Sequence, residues 1–99
     1  MRIIVAEDVP KMASHIRRGL EEEGHAVDIA RDGEEAQWLA ELHSYDVLVL
    51  DVMMPGKDGF TVVRNLRRKQ MLTPVIFLTA RSEVEDRIRG LDVGGYFCA

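Results

Sequence analysis

The chain has 99 residues, 46% of them apolar and 30% charged, a composition that fits one globular domain and excludes a disordered segment. Acidic residues outnumber basic ones 17 to 13, for a formal net charge of −4, which argues against a free-standing nucleic-acid binder with its basic surface. Apolar runs far shorter than the roughly 20 residues of a membrane span, an N-terminus that turns acidic at Glu7-Asp8, and a lone cysteine, Cys98, complete the expectation of a cytoplasmic domain with no membrane contact.

Ile3-Ile4-Val5-Ala6 is an unbroken apolar run, as expected for a strand buried on both faces. Pro10 opens a helix and Gly24 ends it, with Met12, Ile16 and Leu20 as its apolar stripe. His25 to Ala30 alternates as a second strand. Asp32 followed by Glu35 reads as an acidic capping box, opening a helix with Ala36, Leu39 and Ala40 inward. Val47-Leu48-Val49-Leu50 is the next buried strand, and Met53 to Gly59 is a loop by its turn chemistry. A third helix spans about Phe60 to Lys69, with Val63 and Leu66 inward, and Pro74 to Leu78 is a fourth strand. Ser82 with Glu85 forms another capping box, and Val84, Ile88 and Leu91 stripe the helix behind it. The tail from Gly94 to Ala99 is too short to assign.

Alternating apolar strands and amphipathic helices predict an α/β fold, a doubly wound parallel sheet covered on both faces. Ligands of such sheets bind outside the carboxyl ends of the strands. Three strands end there in polar groups: the first in Glu7-Asp8, the third in Asp51, the fourth in Thr79. Carboxylates converging on one crevice repel one another unless a hard divalent cation neutralises them, and an all-oxygen set suits Mg²⁺. A carboxylate can also act as nucleophile and carry a phosphoryl group, with the Thr79 hydroxyl bonding a phosphoryl oxygen.

Each residue alone has a plainer explanation. Glu7, Asp8 or Asp51 serves as a helix cap, and the Thr79 hydroxyl is satisfied by backbone. His15, His25 and His43 lack metal-ligand spacing and read as surface or helix-end residues. Arg64, Arg67, Arg68 and Lys69 read as a solvated face. No phosphate-binding glycine loop and no nucleophilic Ser or Cys with a base partner is present.

The combination resembles the receiver domain of two-component response regulators, in the branch that carries a C-terminal winged-helix DNA-binding domain. The stretches Ile3 to Asp8, Leu48 to Gly56, Asp58-Gly59-Phe60 and Pro74 to Arg81 carry the resemblance, which extends over residues 1 to 94. It implies the flavodoxin-like receiver fold with strand order 2-1-3-4-5. It further implies that Asp51 is the phosphoacceptor for a sensor histidine kinase's phosphohistidine. Asp8, Asp51 and the Met53 backbone carbonyl would hold Mg²⁺, Glu7 would assist through water, and Thr79 would be the switch hydroxyl. Such a module is not an enzyme beyond its own phosphorylation and dephosphorylation.

The family pattern continues past the Gly94 region into a fifth strand, a lysine followed by proline, and a fifth helix, and no residue here occupies the lysine's place. The expectation is therefore a single truncated receiver domain over residues 1–99, lacking most or all of the fifth strand and the fifth helix, with no output domain and no direct DNA contact. Lys57 and Arg81 lie on loops at the same sheet edge, as exposed cations or as lenders of charge. Without a fifth strand, Pro74 to Leu78 becomes an exposed sheet edge, and the expectation is a homodimer that pairs these edges or exchanges C-terminal elements. The competing expectation is a weakly phosphorylated or unphosphorylated receiver acting as a dimerising interaction module.

Overall fold

The computed structural model describes residues 1–78 and the strand 96–98. The chain runs β1 (Arg2–Ala6), α1 (Pro10–Glu22), β2 (Ala26–Ala30), α2 (Gly33–Leu42), β3 (Val47–Asp51), α3 (Gly59–Arg68), β4 (Val75–Leu78) and β5 (Tyr96–Cys98). All strand pairs are parallel, in the order β2-β1-β3-β4-β5. The α/β doubly wound architecture and the strand order are those expected. Among the described residues no helix is long and apolar enough to cross a membrane.

Successive side chains leave the strands on opposite faces, so each apolar run feeds two cores. Ile4, Ala6, Leu48, Leu50, Val75 and Phe77 share one buried cluster with residues of α2 and α3, including Ala36, Ala40, Phe60, Val63 and Leu66. Phe60 meets Phe77 edge to face at 5.0 Å between ring centroids. Ile3, Val5, Val27 and Val49 form the other cluster, closed by Ile16 and Leu20 of α1.

Helix α1 ends as its glycine predicts. Gly24 has φ +90°, its N–H bonds the Glu21 carbonyl, and the His25 N–H reaches back to the Leu20 carbonyl. The inward stripe of α1 differs from the sequence reading, however. Met12 is 50% exposed, and Ala13 is the buried residue in its stead, so the stripe is Ala13, Ile16 and Leu20. A spacing of strictly four residues drifts around the helix, whereas 13, 16 and 20 hold one face, and the small alanine lets the helix lie close to the sheet. The Asp32 cap forms as expected, its Oδ1 accepting the Glu35 N–H at 2.8 Å. Helix α3 begins one residue earlier than expected because Asp58 caps it through the Thr61 N–H at 2.8 Å.

Two expectations change. The fifth strand is only three residues long, yet it pairs with β4 along Ile76↔Tyr96, Phe77↔Phe97 and Leu78↔Cys98. Strand β4 is therefore not the edge of the sheet, and the edge-pairing argument for a homodimer falls with it. The basic face of α3 is also not wholly solvated: Arg67 is half-buried and donates from Nη1 to the Met71 carbonyl at 2.8 Å. The capping box of Ser82 and Glu85, the helix through Val84, Ile88 and Leu91, Thr79 and Arg81 lie outside the described residues.

Candidate metal centre at the carboxyl ends of the strands

Parallel pairing builds this site. Ala6 of β1 is in register with Leu50 of β3, so the next residue along each strand brings Glu7 beside Asp51. Asp8 follows Glu7 on the way to α1. One carboxylate oxygen from each of Glu7, Asp8 and Asp51 lies within 4.8 Å of the others. The structure thus brings together the three acidic residues singled out in the sequence.

Their environments differ sharply. Glu7 is only 7% exposed, Asp51 is half-buried and Asp8 is exposed. Burial pushes the Glu7 carboxyl up to about 7, helped by its hydrogen bond with Asp51 and the negative charges of Asp51 and Asp8. The Val9 N–H, donating to Glu7 Oε1 at 3.2 Å, pulls the other way and is outweighed. A cluster that forces one of its carboxyls to hold a proton near neutrality is one that a divalent cation would relieve. Its oxygen donors match a hard ion such as Mg²⁺, so the residues present fit that cation.

The capping alternative accounts for only part of the arrangement. Val9 is the N-cap of α1 and contributes no side-chain bond, while Pro10 takes the first helical position. Glu7 accepts one N–H at that helix start, but Asp8 is not the cap.

The β3–α3 loop is fastened to the site at both ends. The Met53 N–H donates to Asp51 Oδ1 at 3.0 Å, which fixes the Met53 peptide beside Asp51 while its side chain stays 56% exposed. The Gly59 N–H returns to the Val52 carbonyl at 3.1 Å. A Cβ on Gly59 would lie 2.6 Å from the Asp51 carbonyl oxygen, so the start of α3 approaches β3 closely only because residue 59 is glycine. Lys57 belongs to the same loop, but its ammonium donates to Gln37 Oε1 on α2 at 2.8 Å. Nothing in the spacing of residues 37 and 57 foretold that contact; the close approach of Gly59 was foreshadowed only by a glycine directly after a capping Asp.

These features define a receiver module, and the chain belongs to the response regulator receiver domain family, whose sequence profile matches residues 3–98. It is 53% identical over 94 residues to the transcriptional regulatory protein TcrA of Mycobacterium tuberculosis, an alignment covering 95% of this chain and 37% of that protein. It is 49% identical over 94 residues to the transcriptional activator IrlR of Burkholderia pseudomallei, covering 95% of this chain and 41% of that one. The chain therefore spans about two-fifths of the length of these relatives. Among solved structures, the receiver domain of Francisella response regulator 1452 superposes with a TM-score of 0.93 at 39% identity, covering 97% of this chain and 80% of that one. TrrA from Thermotoga maritima, in complex with Mg(2+)-BeF, gives a TM-score of 0.88 at 33% identity, covering 99% and 85%.

Proposed function

We propose that this chain is the phosphoacceptor module of a two-component phosphorelay. Its Asp51 takes a phosphoryl group from the phosphohistidine of a sensor histidine kinase. A carboxylate oxygen of Asp51 attacks phosphorus, the P–N bond to the histidine breaks, and the freed imidazole leaves with the electron pair. The observation that carries this reading is the convergence of Glu7, Asp8 and Asp51, with Glu7 driven toward its protonated form by burial and its neighbours.

Asp8, Asp51 and the Met53 backbone carbonyl would hold Mg²⁺, with Glu7 assisting through water. The ion supplies positive charge against the phosphoryl oxygens. The chain's own residues do the positioning. Asp51 stands at the end of a central strand, and the bond from the Met53 N–H to Oδ1 orients its carboxylate. Thr79, next in the chain after β4, supplies the hydroxyl that bonds the phosphoryl group and passes the change to a partner surface. The TrrA complex with Mg(2+)-BeF supports the same chemistry in a relative of this fold.

Residues 1–99 act as a single receiver domain in the cytoplasm, with no direct contact to nucleic acid, and the chemistry is confined to gain and loss of phosphate on Asp51. A homodimer, where it forms, does not use the β4 edge, which β5 covers. The test is Mg²⁺-dependent incorporation of phosphate from a small phosphodonor such as acetyl phosphate, located by mass spectrometry. The adduct is expected on Asp51 and absent from Asp51→Asn; modification of that variant at the wild-type level removes the assignment.

A further inference from the structure

The β3–α3 loop is tied to β3 and to the start of α3, and its far side rests on α2. Two contacts make that second support, and both fall on Lys57. The first is main-chain packing: a Cβ on Gly33, the first residue of α2, would lie 1.9 Å from the Lys57 carbonyl oxygen. The second is the bond from the Lys57 ammonium to Gln37 Oε1, one turn further along α2. Between these contacts and the Asp51 end of the loop lies Gly56, with φ +73°. The loop reverses there, so the Lys57 anchor sets where the preceding residues run.

Gln37 is itself held in place. Its Oε1 also accepts from Asn65 Nδ2 of α3 at 3.0 Å, and its Nε2 donates to Glu41 Oε1 at 3.1 Å. Glu41 in turn pairs with the Lys69 ammonium at the end of α3, and these two partners keep its carboxylate below the usual range. Two donors fix the amide oxygen and one acceptor fixes the nitrogen, so the side chain has one orientation that satisfies all three. Gln37 and Lys57 are both half-buried, which limits how easily water replaces their bond.

We propose that Gln37 is a positioning residue for the phosphoacceptor site, acting through Lys57 to hold the β3–α3 loop and with it the Met53 peptide beside Asp51. This rests on the phosphoacceptor reading above. Groups behind the ligands of a metal site tune its affinity by orienting the ligands, commonly by about 10–100-fold on removal. Gln37 acts at one further remove and only on the Met53 carbonyl, so a smaller effect is expected. It also assigns Lys57 a definite part: its charge is spent on α2 and is not offered to the phosphoryl group.

The experiment compares Gln37→Leu, Lys57→Met and the double variant, with Gln37→Glu as the replacement that keeps an acceptor for Lys57 and Asn65 while giving up only the bond to Glu41. Folding is checked by circular dichroism. The Mg²⁺ dissociation constant is measured by calorimetry on unphosphorylated protein. Hydrogen exchange of the peptide containing residues 53–58 is followed without metal. Each single variant is expected to weaken Mg²⁺ binding about three- to tenfold and to speed exchange of that peptide. The maximal rate of phosphorylation at saturating Mg²⁺ should change by less than about twofold. The double variant should be no worse than the weaker single one, since both remove the same link. Gln37→Glu should stay within about twofold of wild type.

Lower melting temperatures with unchanged Mg²⁺ affinity and unchanged exchange would show that Gln37 merely joins α2 to α3, and would overturn the proposal. So would additive effects of the two single changes. Faster phosphorylation in Gln37→Leu with slower phosphorylation in Lys57→Met would mean that a freed Lys57 acts on the phosphoryl group directly, which also overturns it. Lys57→Met lies in a loop outside the core, so it reads out the link even where a change in α2 unfolds the chain. Failure of the phosphoacceptor reading is distinguishable, because it appears in the wild-type protein as absence of the phosphate adduct on Asp51, whereas this proposal fails in the Mg²⁺ affinity and exchange of the variants.

Discussion

Replacing Glu7 by Gln should stabilise the metal-free protein at neutral and alkaline pH. Glu7 is 7% exposed, and its carboxyl is pushed from 4.5 up to about 7 by burial, by the hydrogen bond with Asp51, and by the charges of Asp51 and Asp8. Between those two pH values the folded chain keeps a proton that the unfolded chain has released. Stability from this group is therefore full below pH 4.5, falls as pH rises through the window, and is level above about 7. At about 1.4 kcal/mol for each tenfold change in proton affinity, ionising Glu7 in its folded position costs about 3 kcal/mol at pH 8. Glutamine occupies the same space without that charge, its oxygen still able to take the Val9 N–H and its nitrogen still able to donate to Asp51. For a domain of this size 1 kcal/mol moves the midpoint by about 4–8 °C, so Glu7→Gln should melt more than about 10 °C higher than wild type at pH 8. The two should converge near pH 4.5, and Mg²⁺ should narrow the gap at pH 8 by stabilising the wild type. Thermal melts in chelator across pH 4.5 to 8, with and without Mg²⁺, measure all of this. A difference between the proteins that does not vary with pH would refute the account of Glu7 as a buried carboxyl under repulsion.

Other expectations can be checked by the same melts. Gly33→Ala forces a methyl against the Lys57 carbonyl, 1.9 Å from its ideal position, and should cost about 3 kcal/mol as the loop and α2 part. Gln70→Gly should stabilise by about 0.5–1 kcal/mol, because Gln70 holds φ +61° at the end of α3, where glycine carries no steric penalty. Tyr45→Phe removes the 2.6 Å bond from the buried phenol to Asp28 and should cost about 1.5 kcal/mol.

Strands and helix starts were legible in the sequence because their signals are local. Unbroken runs such as Val47 to Leu50 mark strands buried on both faces, and Asp32 marks a helix start by its own chemistry. The end of α1 was equally plain at Gly24. The end of α3 was not: Gln70 and Met71 make the same pair of bonds to the Arg67 and Leu66 carbonyls, but a glutamine in the left-handed region carries no sequence signal. Met12 and Ala13 are not separable by apolarity alone, and the packed face takes the smaller Ala13. Strand β5 escaped notice because three residues are too few to show a period. The acidic cluster is readable because Glu7-Asp8 follows one apolar strand and Asp51 ends another, and topology does the gathering. The link of Gln37 to Lys57 joins residues 20 apart on a helix and a loop, and only the packed structure reveals it.

The position of β1 inside the sheet, between β2 and β3, also constrains the order in which the chain can acquire structure. It is the first of the sheet's five strands in chain order, yet it pairs on one side with residues 26–30 and on the other with 47–50. A nascent chain that has reached Ala30 holds the whole β1–α1–β2 crossover unit, built from local contacts. The other edge of β1, with Ile3, Ile4 and Val5, stays open until the ribosome has added the whole of α2 and β3. At about 5–20 residues per second, that is an interval of roughly one to four seconds. During it an apolar strand edge is unpaired, and α2, which packs on β1 and β2, is made within the same interval.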